Sequence, residues 1–381
     1  MAANRFNSSF CVSGLPPPGM TKRVTCCVIS FMTGLVVASE AWGQQGGKSN
    51  ISDPVAYYFP SYDKNNDGVL DRSEWGRRGN FELLDANRDG GIDRSEFAIL
   101  YKAFGKSWQL TRTESRNSAV EMDTTYQEDL QDLQVIGKRN YCIVSRRDSV
   151  CPAGDQVARM NGLRHTGIGP IFPAGTHCLA VDESFAEKYD DKTGQEEHGG
   201  LDIPAPSGTP YLAIANGTVV AKIDNIRQLR GLGIVLRHSP ADTGLPFWTY
   251  SEYAHLKEIP PLVLGQRVRM GDVVGLTGNT GVRPNGKSQT SERRPGIHFA
   301  IYYSRSSNFA VHGDYVVPQG VKWMDPTAIY RERGPYDTSS LIALPEQEKD
   351  VMVPHMMLDG SFRPQGTKLI WPFACRAAEG N

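Results

Sequence analysis

Two stretches of this chain space side-chain oxygens at intervals that suit a hard divalent cation. Asp63, Asn65, Asp67, Asp71 and Glu74 fall at positions 1, 3, 5, 9 and 12 of a twelve-residue stretch. Asp85, Asn87, Asp89, Asp93 and Glu96 repeat the set 22 residues later. Calcium takes six to eight oxygen ligands, and the backbone carbonyls of Val69 and Gly91 supply position 7. Gly68 and Gly90 occupy position 6, where the chain turns sharply and a side chain is disfavoured. A merely solvated acidic turn would not repeat Gly and Glu at fixed offsets, so the pattern predicts two calcium sites.

Later in the chain the donors change. His198 and Asp202 lie four residues apart at the edge of a predicted strand, His255 sits in Tyr253-Ala254-His255-Leu256, and His298 lies in the apolar run Gly296 to Ile301. Catalytic zinc takes three N or O protein ligands and keeps one position open. Such a metal acidifies a water and polarises a peptide carbonyl. Eight histidines in 381 residues give many chance triples. Residue types alone therefore leave a zinc site and separate structural imidazoles both open.

These residues need elements to hold them. The first repeat runs from Phe59 to Trp75 and the second from Phe81 to Phe97, the arrangement of two EF-hand loops. Leu70 and Ile92 stand at position 8, where paired loops bridge through a short β contact. Only Trp75 to Leu84 separates the loops, so one helix is expected to leave the first and enter the second. A pair this compact favours a structural or docking role for calcium over a switch. From Val135 onward short β-prone runs alternate with Gly and Pro turns. Tyr141 to Val144, Pro210 to Ala215, Thr218 to Ile223, Gly233 to Leu236 and His298 to Tyr303 are examples, and they predict an antiparallel β domain.

Composition sets outer limits. Net charge is −1, with 41 basic and 42 acidic residues, which gives no support to a nucleic-acid partner. Lys22-Arg23, the apolar run Val24 to Ala38 and Ser39-Glu40-Ala41 read as a secretory signal, with Met20 as an alternative start. The run is too short for a stable span after cleavage. Export removes Cys11, Cys26 and Cys27 and leaves Cys142, Cys151, Cys178 and Cys375, enough for two disulfides in any of three pairings. The expected organisation is a signal peptide over 1–41, a tether over 42–52, the EF-hand pair over 53–105 and a linker over 106–134. A β-rich domain over 135–332 and a tail over 333–381 follow.

The span from His198 to about Tyr330 resembles the M23 family of zinc metallopeptidases, the lysostaphin- and LytM-like peptidoglycan endopeptidases. The likeness runs through His198-x-Gly200-x-Asp202, Gly208-Thr-Pro, Ala215-Asn-Gly217, Gly233 to His238, Tyr253-Ala-His255-Leu256, Gly265 to Gly275, Thr277 to Gly281, Gly296-Ile-His298-Phe299 and Asp325-Pro326. The resemblance implies an antiparallel β-sheet fold with a groove. Its zinc ligands would be His198, Asp202 and His298. His255 would orient the attacking water or stabilise the oxyanion, and His238 would be structural or on the groove rim. The fold class expected overall is α+β and multidomain, a small helical EF-hand pair followed by this sheet domain. The cofactors are one Zn2+ and two Ca2+. The partners are peptidoglycan peptides, with a protein partner at the EF-hand pair as a further option, and the location is the bacterial periplasm or exterior.

One position departs from the family pattern. Where that pattern has His-x-His, this chain has Gly296-Ile297-His298, so the ligand is kept and its acid–base neighbour is lost. Such a group contributes about 10²- to 10⁴-fold in rate. His312 or His177 could substitute. Two functions follow, an exported zinc endopeptidase or a catalytically impaired domain that binds the wall or a partner. Arg293-Arg294 reads as a solvated basic loop.

Overall fold

In the second repeat, Asp93 caps a helical turn by accepting a hydrogen bond from the Glu96 amide, while the Glu96 carboxylate accepts from the Asp93 amide. Asp71 and Glu74 do the same in the first repeat. The loop sequence thus writes its own exit helix. The computed structural model describes residues 55, 59–60, 62–78, 81–98, 120–146, 149–187, 198–282 and 294–378. The signal peptide and tether lie outside the described residues, as do residues 99–104.

Strands β1 (Val69–Leu70) and β2 (Ile92–Asp93) pair antiparallel with Leu70 opposite Ile92, the bridge expected for coupled loops. Phe59, Tyr62, Leu70, Trp75, Phe81, Leu84, Ile92 and Phe97 form the core of the pair, and Ala180 from further along the chain completes it. The single connecting helix does not form. The helix Arg72–Trp75 stops at Gly76, whose φ of 63° lies where a side chain is disfavoured, and a new one starts at Phe81.

The rest of the chain builds on one sheet. In chain order the strands are β3 (Gly169–Ile171), β4 (Thr176–His177), β5 (Leu201–Pro204), β6 (Pro210–Leu212), β7 (Gly217–Asp224), β8 (Leu232–His238), β9 (Trp248–Ala254), β10 (Arg267–Val268), β11 (Val273–Leu276) and β12 (Gly296–Ser304). They continue as β13 (Phe309–His312), β14 (Tyr315–Pro318), β15 (Lys322–Met324), β16 (Asp350–Met352), β17 (His355–Met356), β18 (Phe362–Arg363) and β19 (Arg376–Ala377). Seven of them form the main sheet in the order β10-β7-β8-β9-β12-β15, with β5 paired to the first half of β12. Neighbouring strands in it run antiparallel, as the alternating turns and β-prone runs predict. All residues of β8 are buried, so its centre is covered on both faces.

The covers come from segments that read as something else. Residues 120–134, expected as linker, pack on the sheet: Tyr126 is buried against Phe309, and Asp123 and Asp129 pair with the buried Arg237 at 3.2 and 2.7 Å. Tyr141 to Val144 lies in a helix, Lys138–Ser145, and not a strand. Burial of Tyr141, Ile143 and Val144 and the Cys142–Cys151 disulfide override the β propensity there. Residues 333–378 are no loose tail. β16 runs parallel to β3, β19 pairs with β4, Trp371 and Phe373 are buried, and Cys375 is bonded to Cys178. Among the described residues no helix is long and apolar enough to cross a membrane.

His238 shows how fully the sheet is closed. It has no exposed surface, its Nδ1 lies 2.7 Å from the Asn216 carbonyl and its Nε2 lies 2.7 Å from the Ser251 hydroxyl. Burial pushes the imidazole down to about 4. The unfolded chain takes up this proton near pH 6.5 and the folded chain does not until about pH 4. Stability from this site is therefore complete above pH 6.5 and is lost as pH falls toward 4. Between pH 7 and pH 5 the loss is about 2 kcal/mol. Urea unfolding at the two pH values should show that loss in the parent and a correspondingly smaller one in His238→Gln. Equal losses would remove His238 as the cause.

Candidate metal centre

The sheet's register lines up the residues singled out above. β5 and β12 pair with His298 opposite Asp202, and β12 and β9 pair with His298 opposite Ala254, the neighbour of His255. Three strands thus present Asp202, His298 and His255 in a row. His198 joins from the turn before β5 through Gly199-Gly200. A Cβ on Gly200 would stand 2.5 Å from the Phe299 carbonyl oxygen, so only glycine lets this turn lie against β12.

Three donors converge. His198 Nε2 lies 3.1 Å from Asp202 Oδ1 and 3.0 Å from His298 Nδ1, and His298 Nδ1 lies 3.0 Å from Asp202 Oδ1. The His198 Nδ1 is 3.2 Å from the Ser184 carbonyl, to which only a protonated Nδ1 can donate, so in the neutral ring Nε2 carries the lone pair. One proton on an imidazole bridges one pair of these atoms, whereas a cation satisfies all three at once. Donors about 2.0–2.1 Å from a tetrahedral ion stand about 3.3 Å apart, close to the spacing seen. The donor set fits zinc. All three residues are buried.

Charge supports the same use. Burial disfavours an ionised Asp202, but the neighbouring His198 and the hydrogen bonds from both imidazoles outweigh it and hold the carboxyl well below its ordinary value. Burial also opposes a charge on His198, where Asp202 prevails and raises the imidazole. His298 is pushed down, first by burial. The cluster therefore carries a fixed anion.

His255 is held separately. It takes φ of 63°, a conformation uncommon for a residue with a side chain. Its amide donates to the Arg230 carbonyl at 2.9 Å. Its Nδ1 lies 2.8 Å from the Thr280 carbonyl, which makes Nε2 the basic nitrogen. The ring centroid stands 6.0 Å from that of His298. The ring thus stands beside the three-donor cluster with Nδ1 already engaged. His312 and His177 are engaged elsewhere, His312 with Tyr141 and His177 with Arg376. His238 belongs to the sheet interior.

The two EF-hand loops fold around their own carboxylates. Asp63 accepts from the amides of Asp67 and Gly68, both at 3.1 Å, and Asp85 accepts from those of Asp89 and Gly90 at 3.0 and 3.1 Å. Asp63, Asp67 and Glu74 bring their oxygens within 4.8 Å of one another. Asn65, Asp71 and the Val69 carbonyl complete the first loop. Asn87, Asp93, Glu96 and the Gly91 carbonyl complete the second. Both suit calcium.

Two participants escaped the sequence reading. Glu183 bridges antiparallel to Asp202, its carbonyl accepting from the Asp202 amide at 2.9 Å, and its charge helps raise His198. Arg294 is no solvated loop residue. It pairs with the buried Asp182 carboxylate. Neither has a local motif, because both act through pairing between distant segments.

Residues 196–311 match the model described as peptidase family M23, and residues 56–77 and 81–101 match EF hands. An uncharacterized metalloprotease of Buchnera aphidicola is 34% identical over 84 residues, 22% of this chain and 20% of its own. The chain thus spans about a fifth of the length of that curated relative. Solved structures similar to part of the chain include LytU, with 24% identity, 42% of this chain and 93% of that one covered, and a TM-score of 0.29. The catalytic domain of lysostaphin from Staphylococcus simulans has 22% identity, 34% and 84% covered, and a TM-score of 0.26. A zinc-containing peptidase from Vibrio cholerae has 21% identity, 35% and 36% covered, and a TM-score of 0.26.

Gly296 is packed as tightly as it is bare. A Cβ there would stand 2.9 Å from the Ile203 carbonyl oxygen and 3.2 Å from the Pro204 Cα, on the strand that carries Asp202. Restoring a histidine would force β5 away from β12. Overpacking of this kind costs about 1–3 kcal/mol. Gly296→Ala should show a loss of that size in urea unfolding, and Gly296→His should bind zinc more weakly than the parent. A Gly296→His chain with parental stability and zinc affinity would mean that the strands part freely.

Proposed function

We propose that this chain, which carries an M23-type peptidase segment behind two EF hands, is an exported zinc metalloendopeptidase that cleaves peptide bonds of peptidoglycan. The observation that carries the reading is the triad of His198 Nε2, Asp202 Oδ1 and His298 Nδ1 within 3.1 Å of one another. Those residues would hold the ion. When bound, zinc polarises a carbonyl and acidifies water. His255, with Nδ1 committed to Thr280, offers Nε2 to take or return a proton at the scissile bond. Asp202, held ionised, would offset part of the ion's charge, and the two imidazoles would bind it through unprotonated nitrogens.

Calcium would fill the two loops, one ion in each. Export is supported by the disulfides Cys142–Cys151 and Cys178–Cys375, since such bonds persist in oxidising compartments. The periplasm or cell exterior also holds the proposed substrate.

A second reading draws on Gly296. With no side chain at that position, the centre has one acid–base imidazole and not two, which favours a domain that grips wall peptide without cutting it. Incubation of the chain from Trp42 onward with purified peptidoglycan in excess calcium separates the two. The enzyme reading expects soluble fragments from the parent, background release from His198→Ala, and about 10²- to 10⁴-fold slower release from His255→Ala. Zinc retained by a parent that releases nothing would establish the binding module instead.

A further inference from the structure

Residues 180–187 form a bar between the two metal-binding parts of the molecule. Along one edge the bar holds the zinc-site backbone. The Asp182 amide donates to the Asp202 carbonyl at 2.8 Å and the Asp202 amide to the Glu183 carbonyl at 2.9 Å. The Ala186 amide donates to the His198 carbonyl at 2.8 Å and the His198 amide to the Glu187 carbonyl at 2.9 Å. The Ser184 carbonyl fixes the His198 ring. Two of the three donors are thus positioned by this one segment.

On its other side the bar also meets the EF-hand pair around the first loop. Ala180 lies in the core of the EF-hand pair. The Tyr62 hydroxyl bonds Asp182, and Tyr62 immediately precedes loop position 1, Asp63. Arg78 makes the densest connection. Its Nε donates to the Asp182 carbonyl at 2.8 Å, one Nη pairs with the Glu187 carboxylate, and the other donates to the carbonyls of Glu74 and Trp75 at 3.2 and 2.6 Å. The Val181 amide also donates to the Arg78 carbonyl at 3.1 Å. Glu74 is loop position 12, the ligand that closes on calcium. Arg78 is 7% exposed, so these bonds are poorly screened.

We propose that Arg78 is a positioning residue that couples calcium in the first loop to the grip of His198 and Asp202 on their metal. Calcium fixes Glu74 and with it the end of the helix whose carbonyls Arg78 reads. The planar guanidinium transmits that placement to Asp182 and Glu187, and so to the backbones of Asp202 and His198. A lysine has one donor head and cannot span these acceptors together. The coupling rests on the metal-site reading above. It is reciprocal, so zinc tightens calcium by the factor by which calcium tightens zinc.

The test uses cobalt(II) as a coloured stand-in for zinc, titrated into the metal-free chain in calcium-depleted buffer and again in excess calcium. Visible absorption reports the coordination at the His-Asp-His centre, and the calcium loops, which offer only oxygen, absorb weakly. Couplings of this kind run from about 5- to 150-fold. Calcium should tighten cobalt binding at least about fivefold in the parent and change its absorption bands, with an equal effect of zinc on calcium affinity. In Arg78→Lys the effect should fall below about twofold while calcium still binds. Glu74→Gln in excess calcium should behave as the calcium-depleted parent does. Should Arg78→Lys fail to fold, Glu187→Gln decides, because that side chain is 35% exposed and the substitution removes the charge that pairs with the guanidinium while an amide oxygen remains to accept from the Ser184 amide, as the carboxylate does at 2.8 Å. Cobalt binding indifferent to calcium, or equally sensitive in parent and variant, overturns the coupling alone. No cobalt uptake under either condition overturns the metal centre and the coupling together.

Discussion

The backbone ladder between β5 and β12 fixes the rest of this molecule. Antiparallel pairing alternates side chains between faces, so placing His298 opposite Asp202 settles which face of each strand turns toward the metal centre. A slip of one strand by one residue would put the two donors on opposite faces. The same ladder continues into β9 and delivers His255 one residue beyond Ala254. Two of the three donors and the position of His255 therefore depend on a single register, and His198 follows from the turn before β5. The apolar residues Leu201, Ile203, Ile297 and Phe299, all buried beside the donors, lock it.

Once that register is set, the polar cluster becomes costly unless it is satisfied. An ionised carboxylate and two imidazoles are buried together, and burial opposes charge on each of them. The protein meets part of this through the Ser184 carbonyl and the peptide groups of 182–187, which hold His198 and Asp202 in place. The remainder calls for a cation. The EF-hand loops solve a related problem differently. Their oxygens accept from successive backbone amides of the loop itself, so they are arranged locally and need little from the rest of the fold.

That difference explains what could be read from the sequence. Each calcium loop lies within twelve residues, and its ligands, turn glycine and capping glutamate are all local. His198, Asp202, His255 and His298 were legible only because the residue types and their order match a family pattern. The strand ladder that joins them is absent from any short window. Arg294 and Arg78 left no trace in the sequence, since their roles come from contacts with Asp182, more than a hundred residues away, and Glu183 acts only through its bridge to Asp202 on another segment. The 120–134 and 333–378 segments misled for a similar reason. Their apolar residues are sparse and irregular, and only the finished sheet shows that Tyr126, Trp371 and Phe373 have places waiting for them.

Gly296 is where holding the metal and moving protons come apart. Asp202 and His298 are bound into the ladder as well as into the cluster, so changing either disturbs the strands that define the sheet. Position 296 has a different constraint. It pairs with Pro204, and the approach of the Ile203 carbonyl leaves no room for a side chain. A histidine there would need a wider gap between the same two strands. Here the strands close, and the Tyr211 hydroxyl donates to the Gly296 carbonyl at 3.0 Å. The loss of that imidazole is therefore accommodated by the packing around it. The clustered donors sit at the closed β5–β12 pair, and His255 stands beside them with a positive φ uncommon for a residue with a side chain.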